Sequence, residues 1–223
     1  MKLLIINGSP RGVKSNSLII AEKFNEGFKE SAKTSADIRT LAKKSDLGKI
    51  ENTILEYDTI LMIFPLYTDC MPAIVLNFLN LAGDNNWFDS KNVGYFVQSG
   101  FPESKQSKSL VRYLEKFTKR VEANYIGSII KGGVEGIQIM PPRMTKKFFK
   151  RLVSLGNYFA EHKSFDKTIV KTFSEPYKLS YGRRLFFKLM QKLGFANFYW
   201  NMNLKKNNAT QLRDQAPFAT LVD

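Results

Sequence analysis

The sequence predicts a three-layer, doubly wound α/β domain with a five-stranded parallel sheet, followed by a helical, aromatic and basic C-terminal extension. Three observations carry that prediction. Up to about residue 130, short β-type runs alternate with helical patterns, the signature of an α/β layer architecture. Two of those runs, residues 3–6 and 59–64, are almost continuously apolar, as parallel strands covered on both faces are. Loops rich in small, turn-forming or aromatic residues follow the strands. The domain is expected over residues 1–140, with residues 141–223 as helices and extension packing on it or on a dimer partner.

Residues 3–6 give the first strand. A helix to about Lys29 follows, with Leu18, Ile19, Phe24 and Phe28 on its apolar face. Residues 36–41 have the mixed character of a peripheral strand, and residues 51–56 are helix-like. After the run at 59–64, Pro72 suits the first turn of a helix bearing Ile74, Val75, Phe78 and Leu79. Residues 93–97 form a fourth strand, 108–121 a polar-faced helix and 125–130 a fifth strand. Beyond Gly132-Gly133, Pro141-Pro142 precedes a helix to about Phe159, and the remainder is aromatic-rich and irregular apart from an amphipathic helix at 183–193.

Composition narrows the classes. Hydrophobic residues make up 43% and charged residues 24% of 223, the balance of a soluble globular chain. No apolar run is long enough to span a bilayer and no signal-peptide pattern opens the sequence, so a cytoplasmic location is expected. Cys70 is the single cysteine, which excludes an intramolecular disulfide and a cysteine-cluster metal site; no metal site is expected. The formal charge of +14 is uneven, because residues 142–206 hold 15 Lys/Arg against only Glu161, Asp166 and Glu175. Specific nucleic-acid binding is not expected, since no winged-helix, zinc or RNA-platform signature accompanies that charge.

In an open α/β sheet, ligands bind beyond the carboxyl ends of the strands. After the first strand comes Asn7-Gly8-Ser9-Pro10-Arg11-Gly12-Val13-Lys14-Ser15-Asn16-Ser17. A helix opening on Ser15 to Ser17 offers unpartnered backbone N–H groups, Ser9, Ser15 and Ser17 offer hydroxyls, and Arg11 a charged fork. The same residues also suit an ordinary helix cap after a turn. The loops after strands three, four and five are Pro65-Leu66-Tyr67-Thr68-Asp69-Cys70-Met71-Pro72, Gln98-Ser99-Gly100-Phe101-Pro102-Glu103 and Lys131-Gly132-Gly133-Val134-Glu135. A planar ligand would stack on Tyr67 and meet the backbone amides of Leu66, Ser99 and Gly100. Tyr67 as a plain cap on the sheet edge is the alternative. His162 is the only histidine, so a Ser-His-Asp set is not indicated, and no side chain is assigned a catalytic role. The first loop also lacks the Gly-x-x-x-x-Gly-Lys-Ser/Thr spacing of a triphosphate loop.

Together these four segments resemble the NADPH-dependent FMN reductases and related flavodoxin-like NAD(P)H oxidoreductases, over roughly residues 1–135. The resemblance implies strand order 2-1-3-4-5 and non-covalently bound FMN. Ser9, Arg11, Ser15, Asn16 and Ser17 would hold its phosphate, and Pro65, Leu66, Tyr67, Thr68, Ser99 and Gly100 would border its ring. It further implies a homodimer that passes electrons from NAD(P)H through FMN to a small acceptor such as a quinone, a flavin or a nitroaromatic. An electron-transfer protein using the same FMN to serve a redox partner is the alternative. For residues 183–193, where Leu185, Phe186, Leu189, Met190 and Leu193 recur at helical spacing and Arg184, Lys188 and Lys192 form an i, i+4, i+8 stripe, three readings stand: packing on the domain or dimer partner, a lid, and peripheral contact with an anionic membrane.

Overall fold

Four consecutive apolar side chains, Leu3 to Ile6, can all be buried only in a sheet covered on both faces. A computed structural model, which describes residues 1–194 and 197–215, has that arrangement. The strands β1 (Leu3–Asn7), β2 (Asp37–Thr40), β3 (Thr59–Pro65), β4 (Asn92–Gln98) and β5 (Asn124–Lys131) form one parallel sheet in the order β2-β1-β3-β4-β5. This is the expected doubly wound fold with its 2-1-3-4-5 order. The order reverses between β1 and β3, so a crevice opens beyond their carboxyl ends.

Leu4, Ile6, Ile60, Met62 and Phe64 point into one core, closed by α2 (Lys44–Ile54), α3 (Ala73–Asp84) and α4 (Lys108–Arg120). Leu3, Ile5, Leu61 and Ile63 point into the other, closed by α1 (Asn16–Ala32), α5 (Pro142–His162) and α6 (Lys167–Phe173). Helices α1 and α5 meet backbone to backbone. A Cβ on Gly27 would overlap the Val153 carbonyl, and one on Gly156 would overlap the Phe24 carbonyl. Any larger side chain there forces the helices apart.

Two stretches are more helical than the sequence indicates. Helix α2 starts at Lys44 rather than near residue 51, because the Asp46 carboxylate accepts from the Ala42 and Lys43 amides at 3.1 and 2.9 Å. The part expected to be irregular contains α6 and, further on, α8 (Phe198–Lys206). The chain divides into two compact units, Met1–Lys178 and Leu179–Asp223. Helices α5 and α6 thus belong to the unit that contains the sheet. The second unit carries α7 (Tyr181–Lys192), capped by the Ser180 hydroxyl, and α8. Among the described residues no helix is long and apolar enough to cross a membrane.

One buried polar contact in the first core has a consequence for stability. The Thr118 hydroxyl donates to the Leu114 carbonyl at 2.7 Å, so the Tyr95 phenol is the donor in its own 2.7 Å bond to Thr118. Burial pushes the Tyr95 phenol well above its ordinary range, and burial also raises Tyr57, helped by Asp37, and Tyr125. In the unfolded chain these phenols ionise near 10.0 while the folded chain holds their protons. The folded state then binds more protons, and stability falls as pH rises above that value. Tyr95→Phe should lose about 1 kcal/mol at neutral pH and flatten the alkaline decline. Urea midpoints measured across the alkaline range check this, and an unchanged slope in the variant counts against it.

Candidate functional site

The loop after β1 is organised by the carboxamide of Asn7, which is fully buried. Its Oδ1 accepts from the Ser9 amide and the Ser15 hydroxyl, both at 3.2 Å. Its Nδ2 donates to the Gly12 carbonyl at 3.1 Å and the Thr40 hydroxyl at 3.4 Å. The chain turns sharply at Gly12, whose φ of +59° suits glycine, and a short 3-10 turn leads into α1. Ser15 is the N-cap, its Oγ accepting from the Leu18 amide at 3.1 Å. With its O–H given to Asn7, the Ser15 hydroxyl is committed to the loop.

What remains is a set of donors without protein acceptors. Among the described residues the Asn16 and Ser17 amides, in the first turn of α1, have no protein partner. They stand at the positive end of the helix dipole. The Ser17 hydroxyl accepts from Gln98 Nε2 and that of Ser9 from the Arg11 amide, both at 3.4 Å, which leaves each O–H free to donate. Arg11 reaches Glu135 at 3.2 Å in a half-exposed ion pair. The Asn16 side chain is occupied, its Nδ2 donating to the Val134 and Glu135 carbonyls at 2.9 and 3.2 Å and its Oδ1 accepting from Gln138 at 2.8 Å.

The loops after β3, β4 and β5 converge on the same end of the sheet. The Val134 amide donates to the Ser99 carbonyl at 2.9 Å, and the Gly133 amide to the Phe101 carbonyl at 2.7 Å. Two of the three amides expected to face a ligand do not. The Leu66 amide bonds the Gln98 carbonyl at 2.7 Å and the Ser99 amide the Lys131 carbonyl at 2.9 Å, because both residues continue the sheet's ladder one step further. The Gly100 amide has no protein partner among the described residues. The Ser99 hydroxyl, on a residue only 2% exposed, is buried with no hydrogen-bond partner among the described residues. Tyr67 heads a tight turn with Thr68 at φ +57° and mutual bonds to Cys70 at 2.8 and 3.0 Å, and the residue is 46% exposed. Phe101 is 41% exposed, whereas Pro65 and Leu66 are buried. Lys131 donates to the Gly132 carbonyl at 2.6 Å, and burial, with Arg151 nearby, lowers its ammonium below the usual range.

The arrangement offers an anion seat at the start of α1 and, in the loops at the same end of the sheet, the Ser99 hydroxyl, the Gly100 amide and the exposed side chains of Tyr67 and Phe101. Among the described residues no cluster of His, Cys, Asp and Glu could hold a metal. His162 bonds the Tyr158 carbonyl at 3.0 Å and stacks on the Tyr158 ring, within α5. The sequence alone gives no role to Asn7, Gln98, Glu135 or Gln138. Asn7 was legible as a polar residue ending an apolar strand. The other three act across gaps of 81, 124 and 122 residues, where one sequence carries no pairing signal.

Residues 1–147 match a family described by its flavodoxin-like fold. No curated protein matches the sequence. Among solved structures, the Trp repressor binding protein of Bacillus subtilis superposes with a TM-score of 0.55 at 16% identity, covering 70% of this chain and 98% of its own. An NADPH-quinone reductase from P. pentosaceus gives 0.54 at 18%, covering 72% and 98%. An FMN-dependent NADH-azoreductase from Bacillus anthracis, solved with FMN, gives 0.51 at 15%, covering 72% and 100%.

If Asn7 holds the loop together, Asn7→Ala should lower the unfolding free energy by about 3 kcal/mol, since it leaves several buried loop groups unpaired. Urea denaturation measures this, and a loss below about 1 kcal/mol would mean the loop is held by other contacts.

Proposed function

The chain belongs to the flavodoxin-like fold family, and from that membership and the loop geometry we propose that it is an FMN-dependent oxidoreductase. It takes electrons from NAD(P)H and passes them to a small acceptor: a quinone, a flavin or a nitroaromatic compound. The observation that carries this reading is the buried, unpartnered Ser99 hydroxyl beside the free Gly100 amide. They stand at the same end of the sheet as the unpartnered Asn16 and Ser17 amides. Buried polar groups in a folded protein are nearly always satisfied, so this concentration of donors fits a polar ligand.

FMN suits both halves of the site. Its phosphate would be held by the Asn16 and Ser17 amides, the Ser9 and Ser17 hydroxyls and Arg11, while the Ser15 and Asn16 side chains keep that seat in shape. Its ring would lie among Pro65, Leu66, Tyr67 and Thr68 on one side and Ser99 and Gly100 on the other. Bound FMN supplies the electron-carrying chemistry; the chain supplies binding, orientation and a polar environment. The Ser99 hydroxyl and Gly100 amide would donate to the electron-rich polar edge of the ring, where reduction adds negative charge. Two exposed rings, Tyr67 and Phe101, rim the site, which supports a homodimer in which a second copy covers them. The P. pentosaceus and B. anthracis proteins, named as NADPH-quinone and NADH-azo reductases, support the nicotinamide and acceptor classes.

Titration with FMN, followed by quenching of flavin fluorescence, should give one site per chain. Arg11→Ala should weaken it about tenfold, through loss of a charge-assisted bond. Glu135→Gln should instead tighten it by up to about fivefold, because it frees Arg11 from an exposed ion pair. Absence of binding overturns the reading. NADPH or NADH added without oxygen should bleach the flavin, and a quinone should restore it. Bound FMN that neither nicotinamide reduces would assign the chain to the electron-transfer class.

A further inference from the structure

Helix α7 exposes side chains that a folded unit ordinarily covers. Leu185, Phe186, Leu189 and Leu193 are 58, 56, 53 and 59% exposed, and no residue of α7 is buried. With 3.6 residues per turn, these four and Met190 fall on one arc of about 140°, while Arg184, Lys188 and Lys192 form a stripe centred about 130° away, with Lys192 bordering the apolar arc beside Leu185. Arg183 and Phe187 lie between the two arcs. Helix α8 adds Phe198 and Trp200, 70 and 61% exposed, with Lys205 and Lys206 in its last turn. Residues 179–213 contain seven Lys/Arg and no Asp or Glu.

We propose that α7 is a membrane-surface helix. It lies flat on an anionic bilayer with its Leu/Phe/Met arc at the boundary between headgroups and acyl chains, and Arg184, Lys188 and Lys192 among the lipid phosphates. Twelve residues make a helix of about 18 Å, too short for a hydrocarbon layer of about 30 Å, so it lies on the membrane and does not cross it. Cations on the polar arc with Leu and Phe on the other are what an interfacial helix needs. Exposed Trp200 and Phe198 suit the same boundary.

Charge and geometry decide against two other occupants. A second copy pairing through the apolar arc would bring Lys192, which borders the arc beside Leu185, and its neighbour Lys188 against their counterparts, with no carboxylate in residues 179–213 to neutralise them. A single-stranded nucleic acid calls for aromatic rings and cations along one shared groove. Here Phe186, on the apolar arc of α7, stands about 160° around the helix from the centre of the Arg184, Lys188 and Lys192 stripe. The inference stands on α7 and α8 alone and does not depend on the flavin reading.

Flotation of the full chain with vesicles tests it, using phosphatidylcholine alone and phosphatidylcholine with phosphatidylglycerol. The protein should float with the anionic vesicles and much less with the neutral ones. Lys188→Gln with Lys192→Gln should lower partitioning about thirtyfold, at roughly fivefold per basic side chain. Leu185→Ser with Leu189→Ser should lower it at least about tenfold. These positions are exposed, so an unchanged thermal midpoint in both variants verifies that the fold is intact. Failure of the wild type to float overturns the proposal, as does either double variant floating like the wild type. Tighter binding of a single-stranded oligonucleotide that vesicles cannot displace also overturns it. So does a wild-type dimer that the serine variant dissociates while neither protein floats.

Discussion

The site depends on one buried carboxamide. Asn7 ends β1 with an acceptor and a donor on the same side chain, and the loop needs both. The oxygen gathers the Ser9 amide and the Ser15 hydroxyl, while the nitrogen ties down the Gly12 carbonyl and reaches Thr40 on β2. An aspartate could make the accepted bonds but would turn a second oxygen on the Gly12 carbonyl. A glutamine would carry the amide one methylene too far. Ser15, fixed by Asn7, caps α1, and the capped helix presents the Asn16 and Ser17 amides toward the end of the sheet.

The orientation of α1 is also set from its far end, by chain well beyond the first four strands. Gly27 and Gly156 let α1 and α5 approach with backbone against backbone. At the other end of α1, Asn16 bonds the carbonyls of the loop after β5, which in turn bonds the loop after β4. Three of the four loops are therefore cross-linked into one rigid seat. The loop after β3 differs, because Tyr67 to Cys70 close on themselves and remain exposed. Such a division suits a fixed anion seat beside a rim able to adjust.

The fold was legible because its strands satisfy a local rule. An apolar residue at every position of 3–6 and nearly every position of 59–64 has one solution, a sheet covered on both faces. The start of α1 was legible for the same local reason, a serine cap after a glycine-containing turn. What the sequence hid was competition for bonds. The Leu66 and Ser99 amides looked available for a ligand, yet the ladder extends past the apolar runs and takes them. Arg11 looked like a free cation, but Glu135, 124 residues away, holds it. The early start of α2 rests on Asp46, a cap in a stretch with only Leu47, Ile50 and Ile54 as an apolar stripe, too thin to read against its polar neighbours.

The proposed anion seat at α1 and the basic charge of the chain are separate matters. The seat at α1 draws on backbone amides, two hydroxyls and one guanidinium, and residues 1–141 carry a net charge of only +3. Most of the +14 lies in residues 142–206, where helix α7 also exposes its apolar arc. Bonds to buried or nearly buried groups act over contact distance and are little affected by salt. Attraction between exposed cations and a charged surface is screened over about 8 Å at physiological ionic strength. A chain that needed positive charge only to hold a phosphate would concentrate it around Ser9 to Ser17. This chain pairs its loop arginine with Glu135, and puts +6 of its excess, in residues 179–206, beside exposed leucine and phenylalanine. That pairing of charge with apolar surface is what an interface with lipid uses, since neither part holds a short helix at a membrane by itself.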